Sequence, residues 1–296
     1  MTDLHSTRVS VTPSTRASGL ATWLKAAGLA IVFALALRIF IVAPFAIPSA
    51  SEEPNLFRGD YILVSKWSYG FSRHSIPGSP PLAPGRILFH APRRGDVVVF
   101  KLPADGHTDY VKRLVGLPGD RVQVREGQIF INGAALNRRL QAARTVVQSR
   151  GREGDPGAVP ARLYRESTPE GRSYLTQALE PGGRANSTGV YRVPARCYFV
   201  LGDNRDNSAD SRFGSGLAAG DPRLGGCGWD DSLDAAFGDI LGVGFVPEDN
   251  LVGRARLILL SWNTGVDEWH DDGASLWKPW TWLTQLRPAR ALRVIR

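Results

Sequence analysis

Three stretches of the chain hold the residue types that hydrolytic chemistry needs. The first, Ile47-Pro48-Ser49-Ala50-Ser51-Glu52-Glu53-Pro54-Asn55-Leu56, puts two serines directly after an apolar run. Pro48 and Pro54 lack backbone N–H groups and bias the residues before them towards extended backbone, so the stretch reads as a short extended loop. The second, Tyr110-Val111-Lys112-Arg113-Leu114, reads as a strand that carries a lysine. The third is a polar block, Gly202-Asp203-Asn204-Arg205-Asp206-Asn207-Ser208-Ala209-Asp210-Ser211-Arg212. A serine hydroxyl attacks a carbonyl when a base takes its proton and donors hold the oxyanion. Histidine is the usual base. Of the five histidines, His5, His74, His90, His107 and His270, only His90 and His107 fall among the core strands, and nothing pairs either with an Asp. A lysine serves if it is neutral, which takes its pKa from ~10.4 towards ~7–8 and costs roughly 3–4 kcal/mol at ~1.36 per unit. Desolvation supplies such a shift. Alternation sets Lys112 on the strand face of Tyr110 and Leu114, with Arg113 on the other. Taken singly, the residues have plainer readings: a solvated turn serine and a solvated edge lysine.

The elements that must position these residues begin with a membrane span. Residues 1–18 are rich in Ser, Thr and Arg and read as a disordered cytoplasmic tail. Residues 19–43 are apolar apart from Lys25 and Arg38 and predict a transmembrane helix, long enough for a bilayer core. A cleaved signal or a buried core helix would also give such a run. However, cleavage near Ala46 or Ala50 would cut into the stretch that carries Ser51, and a soluble domain rarely opens on an all-round apolar helix. Arg8, Arg16 and Lys25 lie before the continuous apolar run that starts at Ala26, which predicts a cytoplasmic N-terminus and a single pass with the rest outside. Strands are predicted at Tyr61–Lys66, Asp96–Lys101, Thr108–Val115, Arg121–Arg125 and Gln128–Asn132, the last two flanking a Glu126-Gly127 hairpin turn. Residues 71–92 read as a loop. Strand character returns at Tyr191–Val193, Tyr198–Leu201 and 251–261, so the body is mostly β.

Residues 136–190 are rich in Arg, Gly, Pro and Ser, with weak strands near Ala161–Glu166 and Arg172–Gln177, and 145–160 could be a long loop. Residues 213–242 are Gly-rich with several Asp. Residues 262–296 carry five tryptophans and then Arg287, Arg290, Arg293 and Arg296, a mixture that suits a membrane interface or a packed and solvated tail. The net charge of +8 comes without a dense Lys/Arg stripe, which argues against nucleic acid and for an anionic lipid surface. No His or Cys has metal-ligand spacing, so no metal or other cofactor is expected. Cys197 and Cys227 are as readily two thiols as one bridge.

Four segments in register resemble the type I signal peptidases: the serine stretch, Arg94-Gly95-Asp96-Val97-Val98-Val99-Phe100, Lys112-Arg113-Leu114-Val115-Gly116-Leu117-Pro118-Gly119-Asp120, and the polar block. The resemblance implies a signal-peptidase-like β catalytic core over 44–135 and 191–261, with an inserted smaller β domain at 136–190 and a further insertion at 213–242. It implies a monomeric endopeptidase of the bacterial inner membrane. Its catalytic domain would lie outside the cytoplasm and act on signal-peptide-bearing preproteins at the lipid bilayer, cutting after Ala-x-Ala. By the same resemblance Ser51 is the nucleophile, Lys112 the general base and Ser208 the holder of the lysine amine. Ser49 and the Ser51 N–H form the oxyanion hole. Phe45, Ile47, Pro48, Leu56, Ile62, Val99, Asp109, Tyr110 and Val111 line the substrate pockets, and Arg113, Asp203, Asp210 and Arg212 are structural. Two departures stand out: Glu52 where the family has Met, and Asn55 where it has Thr. On an extended loop Glu52 is expected at the rim of the groove, facing solvent. A narrow processing peptidase of conjugative pilin type and a non-catalytic membrane-anchored β protein are the competing functions. The intact Ser51, Lys112 and Ser208 argue against the second. Self-cleaving Ser-Lys repressors are excluded by the span and by the lack of DNA-binding helices.

Overall fold

The computed structural model describes residues 16–148, 157–180, 182–218, 220–229, 240–263 and 280–296. Helix α1 (Arg16–Phe40) runs 25 residues, about 37 Å at 1.5 Å per residue. Among the described residues none buries its apolar stretch Gly19–Phe40; Trp23 is 77% exposed, and only the last turns are half-covered, Phe40 packing against Phe71. The helix stops short of the expected residue 43. Val42–Ala46 is instead β1, because Pro44 cannot continue a helix and the segment finds a partner strand in β2 (Asp60–Ser65). The expected tail up to residue 15 lies outside the described residues, and Arg16 to Ser18 already belong to α1.

The strands that follow are β3 (Val97–Lys101), β4 (Asp109–Gly116), β5 (Arg121–Arg125), β6 (Gln128–Ile131) and β7 (Ala134–Ala135). Next come β8 (Asn137–Gln148), β9 (Gly157–Ser167) and β10 (Ser173–Leu179), then β11 (Tyr191–Arg192), β12 (Cys197–Leu201), β13 (Val246–Pro247), β14 (Leu251–Ser261) and β15 (Arg293–Val294). One sheet has the order β1-β2-β14-β3-β4-β12-β13, with β15 beside β14. Neighbours in it are antiparallel. Both faces of β3 are covered: Val97 and Val99 pack with Ile62 and Val252, Val98 and Phe100 with Leu114 and Val200. This explains why Val97-Val98-Val99-Phe100 is a continuous apolar run without alternation.

A second sheet, β11-β5-β6-β7, packs against β4 and β12 through Val115, Val122, Ile131, Tyr191 and Phe199. Its β5–β6 hairpin turns at Glu126 and Gly127, both at positive φ (49° and 74°), the pairing that a tight hairpin favours. The 136–190 segment is a third, three-stranded sheet of order β10-β9-β8. Strand β8 was not legible in the sequence. Asn137–Gln148 lacks alternation because most of it is exposed on both faces. Part of the expected 145–160 loop is ladder, Thr145 to Gln148 pairing with Gly157 to Pro160, and 149–156 lie outside the described residues.

Cys197 and Cys227 form a disulfide that ties the Gly-rich insertion to β12. Trp229 packs there on Tyr191 and Phe245, at ring-centroid distances of 5.3 and 5.2 Å. The part of the insertion from 230 to 239 is outside the described residues.

Candidate active site

The serine stretch sits between β1 and β2, and the pairing of those strands closes its base: Ile47 N–H donates to Asp60 O and Gly59 N–H to Ile47 O, each at 2.9 Å. Within it the backbone is turned, not extended as the prolines suggested. Glu53 N–H donates to Ala50 O, and Asn55 and Leu56 N–H both donate to Glu52 O. The polar block holds the stretch from the other side. Asn204 N–H donates to Ser51 O at 3.0 Å, and Asn204 Nδ2 to Ala50 O at 3.1 Å.

Ser51 Oγ thereby lies 2.6 Å from Lys112 Nζ. Lys112 is delivered by β4, opposite Val98 of β3. It is 4% exposed, 5.7 Å from the Tyr110 ring centroid, and donates to the Val111 carbonyl at 3.0 Å. Burial pushes its amine below the usual lysine range, against the opposing pull of Glu52, Asp210 and Asp203. Ser49 Oγ is 3.3 Å from Ser51 Oγ. Ser208, expected to hold the amine, does not: its buried Oγ makes no hydrogen bond within the protein. It packs against Gly202, where a Cβ would lie 2.3 Å from Ser208 Oγ and 2.6 Å from Ser51 O, so only glycine admits this approach.

The four groups expected to be structural form two ion pairs. Arg113 Nε and Nη2 donate to the two Asp203 oxygens at 2.6 and 2.7 Å. Arg212 does the same to Asp210 at 2.9 Å each, and Gly202 N–H adds a third bond to Asp210. The Arg212 charge and these bonds hold the Asp210 carboxyl below its usual range despite burial. Asn55, the second departure from the pattern, donates to Asp203 at 2.7 Å and to Leu175 O at 2.6 Å.

Glu52 is the larger departure, and its expected solvent-facing position is overturned. The turn at 50–56 rotates it inward: it is 1% exposed, 3.9 Å from Lys112 Nζ, and neither carboxyl oxygen has a hydrogen-bond partner. Burial, then the Asp203 charge, push its carboxyl well above the usual range, opposed by Lys112 and Arg113.

Of the expected pocket residues, Ile47, Leu56, Ile62 and Val99 are buried in one cluster, with Phe45 and Val111 packed against it. Tyr110 belongs to the neighbouring cluster, and Pro48 is exposed. Asp109 turns away to pair with Lys101 at 2.9 Å. Among the described residues no group of three His, Cys, Asp or Glu side chains could hold a metal ion.

Sequence reasoning missed two supports. The third sheet is fused to the polar block: Gln177 N–H donates to Asp203 O and Arg205 N–H to Gln177 O, each at 2.8 Å, and Arg205 grips Glu166 with both nitrogens at 2.9 and 2.6 Å. The C-terminal tail also folds back on the serine stretch. Arg290 donates to Asn55 O at 3.0 Å and to Asp60 Oδ1 at 3.1 Å, and Arg287 donates to Trp262 O at 2.6 Å. These two arginines are therefore internal clamps and not membrane-facing or solvated, and no local pattern announces that. Trp269 and Trp277 lie outside the described residues.

A model of the family "Signal peptidase, peptidase S26" matches residues 20–262. Signal peptidase I of Rickettsia typhi is 34% identical over 250 residues, 82% of this chain and 80% of that protein. Signal peptidase I of Rickettsia prowazekii is 33% identical over the same length and the same shares of the two chains. A crystal structure of a signal peptidase I from Enterococcus faecalis is 23% identical and covers 56% of this chain and 97% of its own, with a TM-score of 0.26. The assignment rests on the sequence matches, which reach from the apolar helix through the serine stretch, the strand lysine and the polar block: the chain belongs to the signal peptidase family of S26 peptidases.

Proposed function

We propose that the protein is a membrane-anchored endopeptidase that removes N-terminal signal peptides from exported proteins through a Ser51–Lys112 dyad. The observation that carries this reading is the 2.6 Å approach of Ser51 Oγ to a lysine amine that burial holds towards its neutral form. A neutral Lys112 takes the Ser51 proton as Oγ attacks the scissile carbonyl. The ammonium then protonates the leaving amine, and the same amine activates water to hydrolyse the acyl-enzyme. Ser49 Oγ–H and the Ser51 N–H face the developing oxyanion. Strand β1 ends the strand order of its sheet, so its outer edge is open to an extended peptide. Phe45 and Val111, partly buried against the apolar cluster that holds Ile47, Leu56, Ile62 and Val99, suit alanine at the last residue before the cut and two residues earlier.

On this reading the exposed apolar helix is the anchor, and Arg8, Arg16 and Lys25, towards its N-terminal end, support a cytoplasmic N-terminus. The Cys197–Cys227 disulfide fits a catalytic domain outside the cytoplasm. The test is incubation of the full chain in detergent with a precursor ending its signal in Ala-x-Ala. Cleavage after the second alanine, absent in Ser51→Ala, is expected. Cleavage by Ser51→Ala, or none by the unsubstituted chain, would contradict the reading.

A further inference from the structure

Three carboxyl groups are buried around Lys112, and two of them are saturated. Asp203 accepts from both Arg113 nitrogens and from Asn55. Asp210 accepts from both Arg212 nitrogens and from Gly202 N–H. Glu52 accepts nothing, although it is as deeply buried. The groups that face it are Lys112 and Arg113 from β4, and Asp203 and Asp210 from the polar block. Once Arg113 is assigned to Asp203 and Arg212 to Asp210, Lys112 and Glu52 are left facing each other at 3.9 Å.

As ions, these two would form a buried pair with no hydrogen bond between them, the arrangement least able to offset desolvation. Moving one proton from the ammonium to the carboxylate removes both charges at once. The cluster then holds only its two hydrogen-bonded ion pairs, and its total proton count is unchanged. We propose that Glu52 is a positioning residue of the dyad that carries, as a carboxylic acid, the proton Lys112 must be without, so that the resting dyad is uncharged at neutral pH. The proposal rests on the Ser51–Lys112 reading. It also accounts for the departure from the family pattern, since a protonated Glu52 presents the lysine with a neutral neighbour, as Met does. An ionised Glu52 would instead stabilise the ammonium and disable the base.

The test is infrared spectroscopy of the full chain in detergent near pH 7, with 13C-labelled glutamate to separate Glu from Asp carboxyl bands. The expected result is a label-shifted band of a protonated carboxyl, lost in both Glu52→Gln and Glu52→Met. In kinetics the acidic limb of kcat/KM should lie at the same pH in Glu52→Gln as in the unsubstituted enzyme, because each presents a neutral side chain to Lys112. Absence of the protonated band overturns the proposal. So does an acidic limb displaced by one pH unit or more to lower pH in Glu52→Gln, since that means an ionised Glu52 had been holding the lysine charged. Glu52→Met gives the same comparison if the Gln variant does not fold. Failure of the Ser51–Lys112 reading shows separately, as continued processing by Lys112→Ala.

Discussion

Arg113 is the largest of the fully buried side chains, and it neutralises the aspartate that lies beside the dyad. Arg113→Met keeps most of the volume but leaves Asp203 with Asn55 alone. Breaking a buried pair from one side costs about 3–5 kcal/mol, so denaturant unfolding should show a loss of that size, and a change under ~1 kcal/mol would mean the pair is solvated. Ser51 and Lys112, whose side chains lie 2.6 Å apart, were singled out because each sits in a contiguous motif of the sequence. Glu52 was misplaced for a physical reason: its side chain points where the turn at 50–56 sends it, and that turn is set by Asn204 and by the β1–β2 pairing rather than by the prolines. His90 and His107, the only sequence rivals for the base, are exposed on the surface.

The serine stretch is an element held from three sides: by the polar block, by β10 through Asn55, and by the tail through Arg290. Asp60 is fully buried and is paired by Arg290 and Ser261. Arg290→Ala is expected to lower stability by about 3 kcal/mol and to reduce kcat more than it raises KM, because the loop carrying Ser51 loosens. A loss below ~1 kcal/mol, typical of surface pairs, with unchanged kcat would show that the clamp is idle. The short β-branched strands β2 to β6 were readable from sequence, whereas β1 and β8 were not. The first hides in the tail of the apolar run and is a strand only because β2 pairs with it. The second is polar and Ala-rich, and its ladder with β9 supplies what its own pattern lacks.

For the whole molecule, the proposed topology puts the N-terminus on the cytoplasmic side and the disulfide-bearing body on the other, as an oxidised Cys197–Cys227 pair favours. A reporter active only outside the cytoplasm, fused after Arg296, is therefore expected to be active, while one fused before Met1 should be silent. The reverse pattern would invert the topology. The apolar N-terminal helix and the mostly β body were legible from composition and periodicity. The docking of the third sheet onto the polar block was not. It depends on the buried Arg205–Glu166 pair and on the Gln177 backbone bonds, contacts between residues far apart in the chain.

The central claim is that Lys112, held neutral by burial, is the base for Ser51. The most direct measurement is the pH dependence of kcat/KM on an Ala-x-Ala precursor for the unsubstituted chain and for Lys112→Ala. Because burial lowers the lysine pKa, the active neutral form accumulates as pH rises through that lowered value, so the rate should climb with pH on an acidic limb and then level. Lys112→Ala should lose on the order of 10³-fold or more, and its residual rate should lack that limb. A Lys112→Ala variant that keeps both the rate and the limb would contradict the account.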